Sequence, residues 1–222
     1  MRRFHLTPRR IAFVVAATLG FGTAAGFAAT LTVGSWHLWA GSQTLTKATC
    51  PTLSGTTSTT DTYVVQATPT TSFGSSTTML VKSNSGSQDW SFVRFDLSSC
   101  GIPTTGGADS ATLTLYVTTA PGTSRTLTVT PVLSTWSGTL TWNTAQTLTY
   151  GSSATTTIVT GTTTGAKTAT VTVDVDSLIK NPSANYGWRI SDSGSGNATT
   201  TFATAENGTA SHQPQLSINY EK

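Results

Sequence analysis

Residues 111–117 read Ala-Thr-Leu-Thr-Leu-Tyr-Val, and this stretch decides the fold. Its residues alternate between apolar and polar with period two, so one side of an extended chain is apolar and the other polar. The two sets are Ala111, Leu113, Leu115 and Val117 on the apolar side, and Thr112, Thr114 and Tyr116 on the polar side. The pattern predicts a β-strand that covers a hydrophobic core with one face and meets solvent with the other.

The same alternation recurs along most of the chain after Asp61. Further strands are predicted at residues 63–65, 79–81, 93–97, 127–129, 158–159, 169–175, 188–190 and 216–220, and around Phe202. Only one short helix is predicted, at residues 177–180 with Asp176 as its N-cap. Regularly spaced short strands without long helices predict an all-β fold, a jelly-roll-type β-sandwich of eight to ten antiparallel strands.

The composition agrees with this fold class. The 222 residues include 50 Thr and 26 Ser, and only 9% are charged. Threonine is branched at Cβ and favours strands over helices, which excludes a helical bundle. The recurring aliphatic and aromatic residues exclude a disordered acidic chain.

The N-terminus has the features of a secretory signal peptide. Four arginines within residues 1–10 precede an apolar run at residues 11–29, which ends in small residues. We expect residues 1–29 to be cleaved, the alternative being that they stay as a membrane anchor. Without the four arginines the chain has eight basic and nine acidic residues and no basic cluster, which argues against nucleic-acid binding. In either case the domain is expected outside the cell, secreted or anchored at the cell surface.

Between the signal and the strands, residues 30–59 are rich in Thr and Ser and are predicted to form a stalk, with the sandwich domain spanning residues 60–222. Cys50 and Cys100 are the only cysteines. In an oxidising compartment such an isolated pair predicts a disulfide, which would stabilise the fold by on the order of 4 kcal/mol.

A series of motifs resembles one known family. They occur in the family's order at residues 61–64, 73–76, 93–98, 111–116, 136–143, 185–190 and 214–216. Together they are similar to the DNRLRE-domain proteins, also grouped as family-96 carbohydrate-binding modules. The resemblance covers roughly residues 61–220 and implies a secreted β-sandwich module. Family members often carry Ser-Arg-Glu near the last strands, whereas this chain has Thr204-Ala205-Glu206.

Catalysis is not expected. After the signal the only histidines are His37 and His212, and no Gly-x-Ser-x-Gly motif occurs. Glycoside hydrolysis requires two carboxylates that face each other across a cleft. Asp174 and Asp176 are two residues apart, which on one strand would place both on the same outward face, but the favoured interpretation is a strand end followed by a helix cap.

No cofactor is predicted, although sandwich modules can hold structural calcium with loop carboxylates. Asp61, Asp96, Asp174 and Asp192 are candidates, but no segment resembles a calcium-binding loop, so no ligands are assigned.

Sugar recognition combines aromatic faces with polar and charged groups. Trp136, Trp142 and Trp188 fall in the strand pattern and are expected in the core. Trp90 follows a loop-like stretch and is either a stacking residue or a loop anchor. Strand parity turns Lys82, Arg94 and Tyr116 outward. The candidate carbohydrate-binding residues are therefore Lys82, Trp90, Arg94 and Tyr116.

Two functions remain open from the sequence. The first is a non-catalytic, secreted or surface-tethered carbohydrate-binding module whose partner is a polysaccharide, with an anionic polysaccharide as the finer expectation. The second is a cell-surface structural or adhesion domain without a sugar site. In both cases a monomer is expected.

Overall fold

The structure, a computed structural model, describes residues 46–83 and 86–222. This part of the chain forms twelve strands and two α-helices, with single 3-10 turns at Ser98–Cys100, Pro182–Ala184 and Ala210–His212. The strands are β1 (Lys47–Thr49), β2 (Leu53–Ser54), β3 (Thr59–Val65), β4 (Thr78–Ser83), β5 (Asp89–Phe95), β6 (Gly107–Thr119), β7 (Thr126–Pro131), β8 (Thr156–Val159), β9 (Gly165–Thr170), β10 (Trp188–Ser191), β11 (Ala198–Ala203) and β12 (Gln215–Glu221). The helices are α1 (Trp142–Ala145) and α2 (Thr172–Lys180).

All strand pairings are antiparallel, and the strands form one curled sheet that folds into two layers. The back layer has the order β9, β6, β12, β1, and β2 also pairs with β12. The front layer has the order β3, β5, β10, β7, β8. Strands β4 and β11 connect the layers, because β11 pairs with both β4 and β6, and β4 joins β5 through Lys82 and Asp89. The predicted all-β sandwich is confirmed, with twelve strands instead of eight to ten because β1 and β2 come from the predicted stalk.

The main core lies between the layers. From the back layer Leu113 and Leu115 are fully buried, and from the front layer Val93 and Phe95 meet them. Burying an aliphatic or aromatic side chain of this size stabilises a fold by about 1.5–3 kcal/mol. The period-two alternation therefore predicted correctly which face of β5 and β6 is internal.

The expectation of a strand through residues 169–175 is wrong. Strand β9 ends at Thr170, and the helix α2 begins at Thr172. Val171, Val175 and Ile179 are buried at spacings of four residues, while Val173 is 72% exposed. This spacing fits one face of a helix as well as alternate positions of a strand, and the helical period prevails here.

The two acidic residues of this segment change role accordingly. Asp176 lies inside α2 instead of capping it, where it accepts a hydrogen bond from the Ala108 backbone amide and pairs with Lys180. Asp174 accepts hydrogen bonds from the Trp188 indole at 2.6 Å and from the Thr155 hydroxyl at 2.9 Å. The favoured interpretation, a strand end followed by a helix cap, is therefore wrong, and the two residues share no strand face either, because both lie within α2.

The N-terminal part of the described chain belongs to the folded body. Leu53 of β2 is buried, and β1 pairs along the last strand, so residues 47–59 of the predicted stalk contribute to the fold. The predicted disulfide between Cys50 and Cys100 is confirmed and ties β1 and β2 to the 3-10 turn that precedes β6. The predicted signal peptide and the first part of the stalk, residues 1–45, lie outside the described residues. No helix in the described ranges is long and apolar enough to cross a membrane.

Residues 133–150, called the cover segment below, pack over the outer face of the front layer. They contain no charged residue. Trp136, Leu140 and Trp142 of this segment form a second buried cluster with Val64 and Phe92 of the front layer. Helix α1 within it begins with a capping box in which the side chains and backbone amides of residues 141 and 144 bond reciprocally. The front layer is therefore buried on both faces near Phe92.

Candidate functional site

The outer face of β5 carries Trp90, Phe92 and Arg94, which alternate with inward residues such as Val93. Trp90 lies within the strand, not in a loop, and its side chain is partly buried. Its ring centroid is 4.5 Å from that of Trp142 and 6.3 Å from that of Tyr150. Trp90 therefore acts as an anchor for the cover segment, one of its two roles left open by the sequence.

Arg189 of β10 lies on the same outer face. It stands opposite Phe92 in the ladder, and its guanidinium carbon is 4.6 Å from the ring centroid of Trp90 and 4.1 Å from that of Tyr150. Guanidinium groups stack favourably on aromatic faces at such distances. We call Trp90, Tyr150 and Arg189 the arginine slot.

The sequence analysis did not single out Arg189. The sequence contains a signal for its orientation, because the apolar residues Trp188 and Ile190 on either side of Arg189 predict inward positions and place Arg189 outward. The structure buries both neighbours. Its contact with Tyr150 could not be predicted from the sequence, because Tyr150 comes close to Arg189 only through the path that the cover segment takes over the sheet.

Arg189 has no acidic partner within the described ranges. The ion pairs there are Lys47 with Asp109, Arg125 with Asp192, and Lys180 with Asp176. The Arg189 Nε is buried and makes no hydrogen bond, although the side chain as a whole is partly exposed. A half-buried cation without a matching anion is unfavourable, so an external carboxylate or sulfate bound here would be stabilised.

Burial also changes the titration of the slot. It lowers the pKa of Arg189 and raises the pKa of Tyr150 to about 12. The Tyr150 hydroxyl donates to the Ala145 carbonyl at 2.6 Å, which fixes its ring over Arg189. Within the slot, the neutral rings of Trp90 and Tyr150 thus pack against the single positive charge of Arg189.

A polar groove lies where β5 begins and β10 ends. It has a volume of about 750 Å³ and is lined by Gln66, Gly86, Gln88 and residues 192–197, and we call it the amide groove. Gln88 precedes Trp90 by two residues, which corresponds to about 7 Å along an extended chain. The Gln66 side-chain carbonyl accepts the Gln88 backbone amide at 2.9 Å, so this wall is held in place. Amides and hydroxyls of this kind suit the hydroxyl groups of a sugar.

The other wall of the amide groove is held by Arg125. Its guanidinium binds both carboxylate oxygens of Asp192, at 2.6 and 3.0 Å, and also bonds the Ser83 hydroxyl and the Ser195 carbonyl. Burial alone would raise the pKa of Asp192, but the hydrogen bonds from Arg125 and the Gly194 amide outweigh it and hold this pKa below its ordinary value. Arg125 is occupied structurally, in contrast to Arg189.

Lys82 lies at the edge of the amide groove. It stands opposite Asp89 in the β4–β5 ladder, and its ammonium group donates a hydrogen bond to the Ser87 hydroxyl at 3.0 Å. Asp89 is buried, which raises its pKa to about 6 in spite of the lowering effect of Lys82. This cation is therefore partly balanced by its neighbour.

Arg94 lies at the other end of the outer face. Its guanidinium carbon is 5.4 Å from the ring of Trp136. It lines a polar hollow of about 390 Å³ together with residues 56–60, Asp96 and Asn185. We call this the threonine hollow, because Thr56, Thr57, Thr59 and Thr60 contribute most of one wall.

Tyr116 lies elsewhere. It is on β6 of the back layer and points away from the core, on the side opposite to Trp90 and Arg94. Its ring stacks on His212 with centroids 3.7 Å apart and an interplanar angle of 15°. The structure thus brings Trp90 and Arg94 to one face and Lys82 to its edge, and it places Tyr116 on the opposite layer. Whether any of the four contacts a sugar remains a prediction.

The predicted core tryptophans Trp136, Trp142 and Trp188 are buried, as expected. Among the described residues, no group of three or more His, Cys, Asp and Glu side chains is arranged to hold a metal ion. The calcium candidates Asp174 and Asp192 make the hydrogen bonds given above.

Comparison with known families gives one match. The model of carbohydrate-binding module family 96 matches residues 52–220, which covers β2 to β11 completely and β12 up to its penultimate residue. The match begins before β3, in agreement with the place of β2 in the fold. A search of curated proteins finds no match.

Proposed function

The chain belongs to carbohydrate-binding module family 96, and from this premise we propose that it is a non-catalytic module that binds an anionic polysaccharide outside the cell. Its principal contact is Arg189 in the arginine slot. The amide groove receives the neutral hydroxyl groups of the same chain.

The observation that carries this proposal is the unmatched charge of Arg189. Folding places its guanidinium between Trp90 and Tyr150, under a cover segment that has no acidic residue. Both rings lie close to the guanidinium but are nearly perpendicular to each other, at 85°, and Nε is buried, so a ligand would meet the edge formed by the two terminal nitrogens. A planar carboxylate matches that edge with two parallel hydrogen bonds.

The neutral part of the ligand is accommodated by the amide groove. Gln66 and Gln88 on one wall and Ser193 and Ser195 on the other present amide and hydroxyl groups. Arg125 holds the second wall before any ligand arrives, which lowers the ordering cost of binding.

Export is proposed from two features. The N-terminal sequence has the pattern of a signal peptide, and a disulfide is typical of oxidising compartments. The family points to a domain without catalytic activity, and the acidic residues Asp174, Asp176 and Asp192 each bind neighbouring groups of the fold.

The experiment is to compare Arg189→Gln with Lys167→Gln, a cation on β9 of the back layer. Binding to a polyuronate is measured by affinity electrophoresis and calorimetry. We expect at least a tenfold loss for Arg189→Gln, about 1.4 kcal/mol, because the charge-assisted contact is removed. Lys167→Gln is expected to bind like the unchanged protein.

Thermal unfolding of both variants shows whether the fold is retained. Arg189→Lys provides a second variant, since it keeps the charge but loses the planar fork, and we expect it to bind weakly. Unchanged affinity in a folded Arg189→Gln protein would refute the proposed contact. Failure of the unchanged protein to bind any acidic or neutral polysaccharide would favour the alternative, a structural or adhesion domain.

A further inference from the structure

Arg94 and Arg189 are near neighbours on the outer face of the front layer. Arg189 stands directly opposite Phe92, and Arg94 follows Phe92 by two residues on β5. In an antiparallel ladder such a diagonal pair has Cα atoms about 7–8 Å apart. Their side chains diverge, because Arg189 lies against Trp90 and Tyr150 whereas Arg94 lies against Trp136.

Both arginines rest on rings of the same aromatic cluster, and neither forms an ion pair within the ranges that the structure describes. Asp96, directly after the end of β5, is the acid nearest to Arg94 along the chain, and its carboxylate accepts a hydrogen bond from the Ser98 backbone amide at 2.9 Å. That bond is the main cause of the lowered pKa of Asp96, and the charge of Arg94 contributes less. The outer face therefore carries two arginines that form no ion pair within the described ranges, although Asp96 lines the same hollow as Arg94.

The surroundings of Arg94 also suit a ligand. The threonine hollow places hydroxyl-bearing residues beside the guanidinium, in a space of about 390 Å³. The Asn185 amide donates to the Phe95 carbonyl at 2.7 Å, so the far wall is held by a backbone contact. Arg94 and the threonine hollow thus combine a cation with neutral polar groups at one end of β5. Arg189 and the amide groove offer the same combination towards the other end.

We propose that Arg94 and the threonine hollow form a second anion-binding subsite, so that the ligand is a polymer with acid groups on several sugars and two arginines bind two of them. This inference rests on the proposed function. It adds that a single acidic sugar occupies only one of the two subsites. Once one arginine has bound a sugar of the polymer, the other arginine binds a second sugar of the same molecule, and this intramolecular step raises the affinity.

The test uses acidic oligosaccharides of increasing length, from one uronic-acid residue to eight, titrated into the full chain. For the unchanged protein we expect affinity to rise by tenfold or more once the oligomer reaches both arginines. For Arg94→Gln we expect the affinity for the shortest binding oligomer to stay the same and the gain with length to disappear. For Arg189→Gln we expect weak binding at every length, and Lys167→Gln is the control.

Two outcomes separate this inference from the proposed function. If Arg94→Gln retains the full gain with length while Arg189→Gln loses binding, the second subsite is refuted and the proposed function stands. If Arg189→Gln binds every oligomer like the unchanged protein, the proposed function itself fails. A smaller salt dependence in Arg94→Gln than in the unchanged protein, with long oligomers, would support two charge contacts.

Discussion

Replacing Gly187 by alanine is expected to destabilise the fold by about 3–5 kcal/mol. Gly187 has φ of +68°, which a residue with a Cβ adopts only at a cost. An added Cβ would also lie 2.1 Å from the Val93 carbonyl oxygen and 2.7 Å from the Arg94 Cα. Both are backbone atoms of a central strand, so neither can move aside easily.

The measurement is urea unfolding of the Gly187→Ala protein and of a matched control, Gly122→Ala. At Gly122 an added Cβ meets nothing within 4 Å, so we expect a change below about 0.5 kcal/mol. A Gly187→Ala protein as stable as the control would show that β10 does not approach β5 as closely as described. Because Gly187 precedes β10, this close approach also helps to place Arg189.

The second large effect is an unusual pH dependence of stability, for which Asp61 is the main cause. Asp61 is buried on β3, and burial raises its pKa to about 7, opposed by the Ala205 amide and reinforced by neighbouring Glu206. One oxygen of each carboxyl group is buried without a hydrogen-bond partner. A buried carboxyl group beside a second carboxylate is most stable when it is protonated, and Asp61 is the group in this position.

The sign follows from proton linkage. An unfolded aspartate has a pKa of about 3.9, so between about pH 4 and pH 7 the folded protein binds more protons than the unfolded chain. The stabilisation is complete below pH 4 and is lost as the pH rises through about 7, and buried Asp89, with a pKa of about 6, acts in the same direction. We expect the free energy of unfolding to fall by roughly 1–3 kcal/mol between pH 4.5 and pH 8.

Urea unfolding at a series of pH values checks this. Asp61→Asn keeps an acceptor for the Ala205 amide and removes the titrating group, so its profile should be flatter than that of the unchanged protein. Glu206→Gln should also flatten it, since the like charge is removed. A free energy of unfolding that increases from pH 5 to pH 8 would contradict the proposed protonation of Asp61.

The parts of the fold that were predicted from the sequence are those that depend on local alternation. The inward faces of β5 and β6 follow directly from the apolar positions, as the burial of Val93 and Leu113 shows. The disulfide was predicted because only two cysteines exist. The second half of helix α2 was predicted, at residues 177–180, but its first half was assigned to a strand because the spacing of Val171 and Val175 fits both a strand and a helix.

The candidate site depends more on strand order, which local pattern does not contain. Strand alternation correctly predicted that Arg94 and Tyr116 point away from the core. Arg94 lies in the front layer and Tyr116 in the back layer, so the two side chains point in opposite directions. Arg189 was missed for a related reason, since its importance comes from Tyr150, which is distant in sequence and reaches it through the cover segment. The cover segment has no charged residue and no clear periodicity, so nothing in its sequence indicated that it packs over a sheet.

The most direct test of the central claim compares binding of the full chain to a polyuronate and to the same polymer after its carboxyl groups are reduced to alcohols. Calorimetric titration at low and at high salt gives both affinities. We expect binding to the acidic polymer that weakens with salt, and at least a tenfold lower affinity for the reduced polymer. Equal affinity for the two polymers, or binding that salt does not change, would contradict recognition of an anionic chain by unmatched arginines.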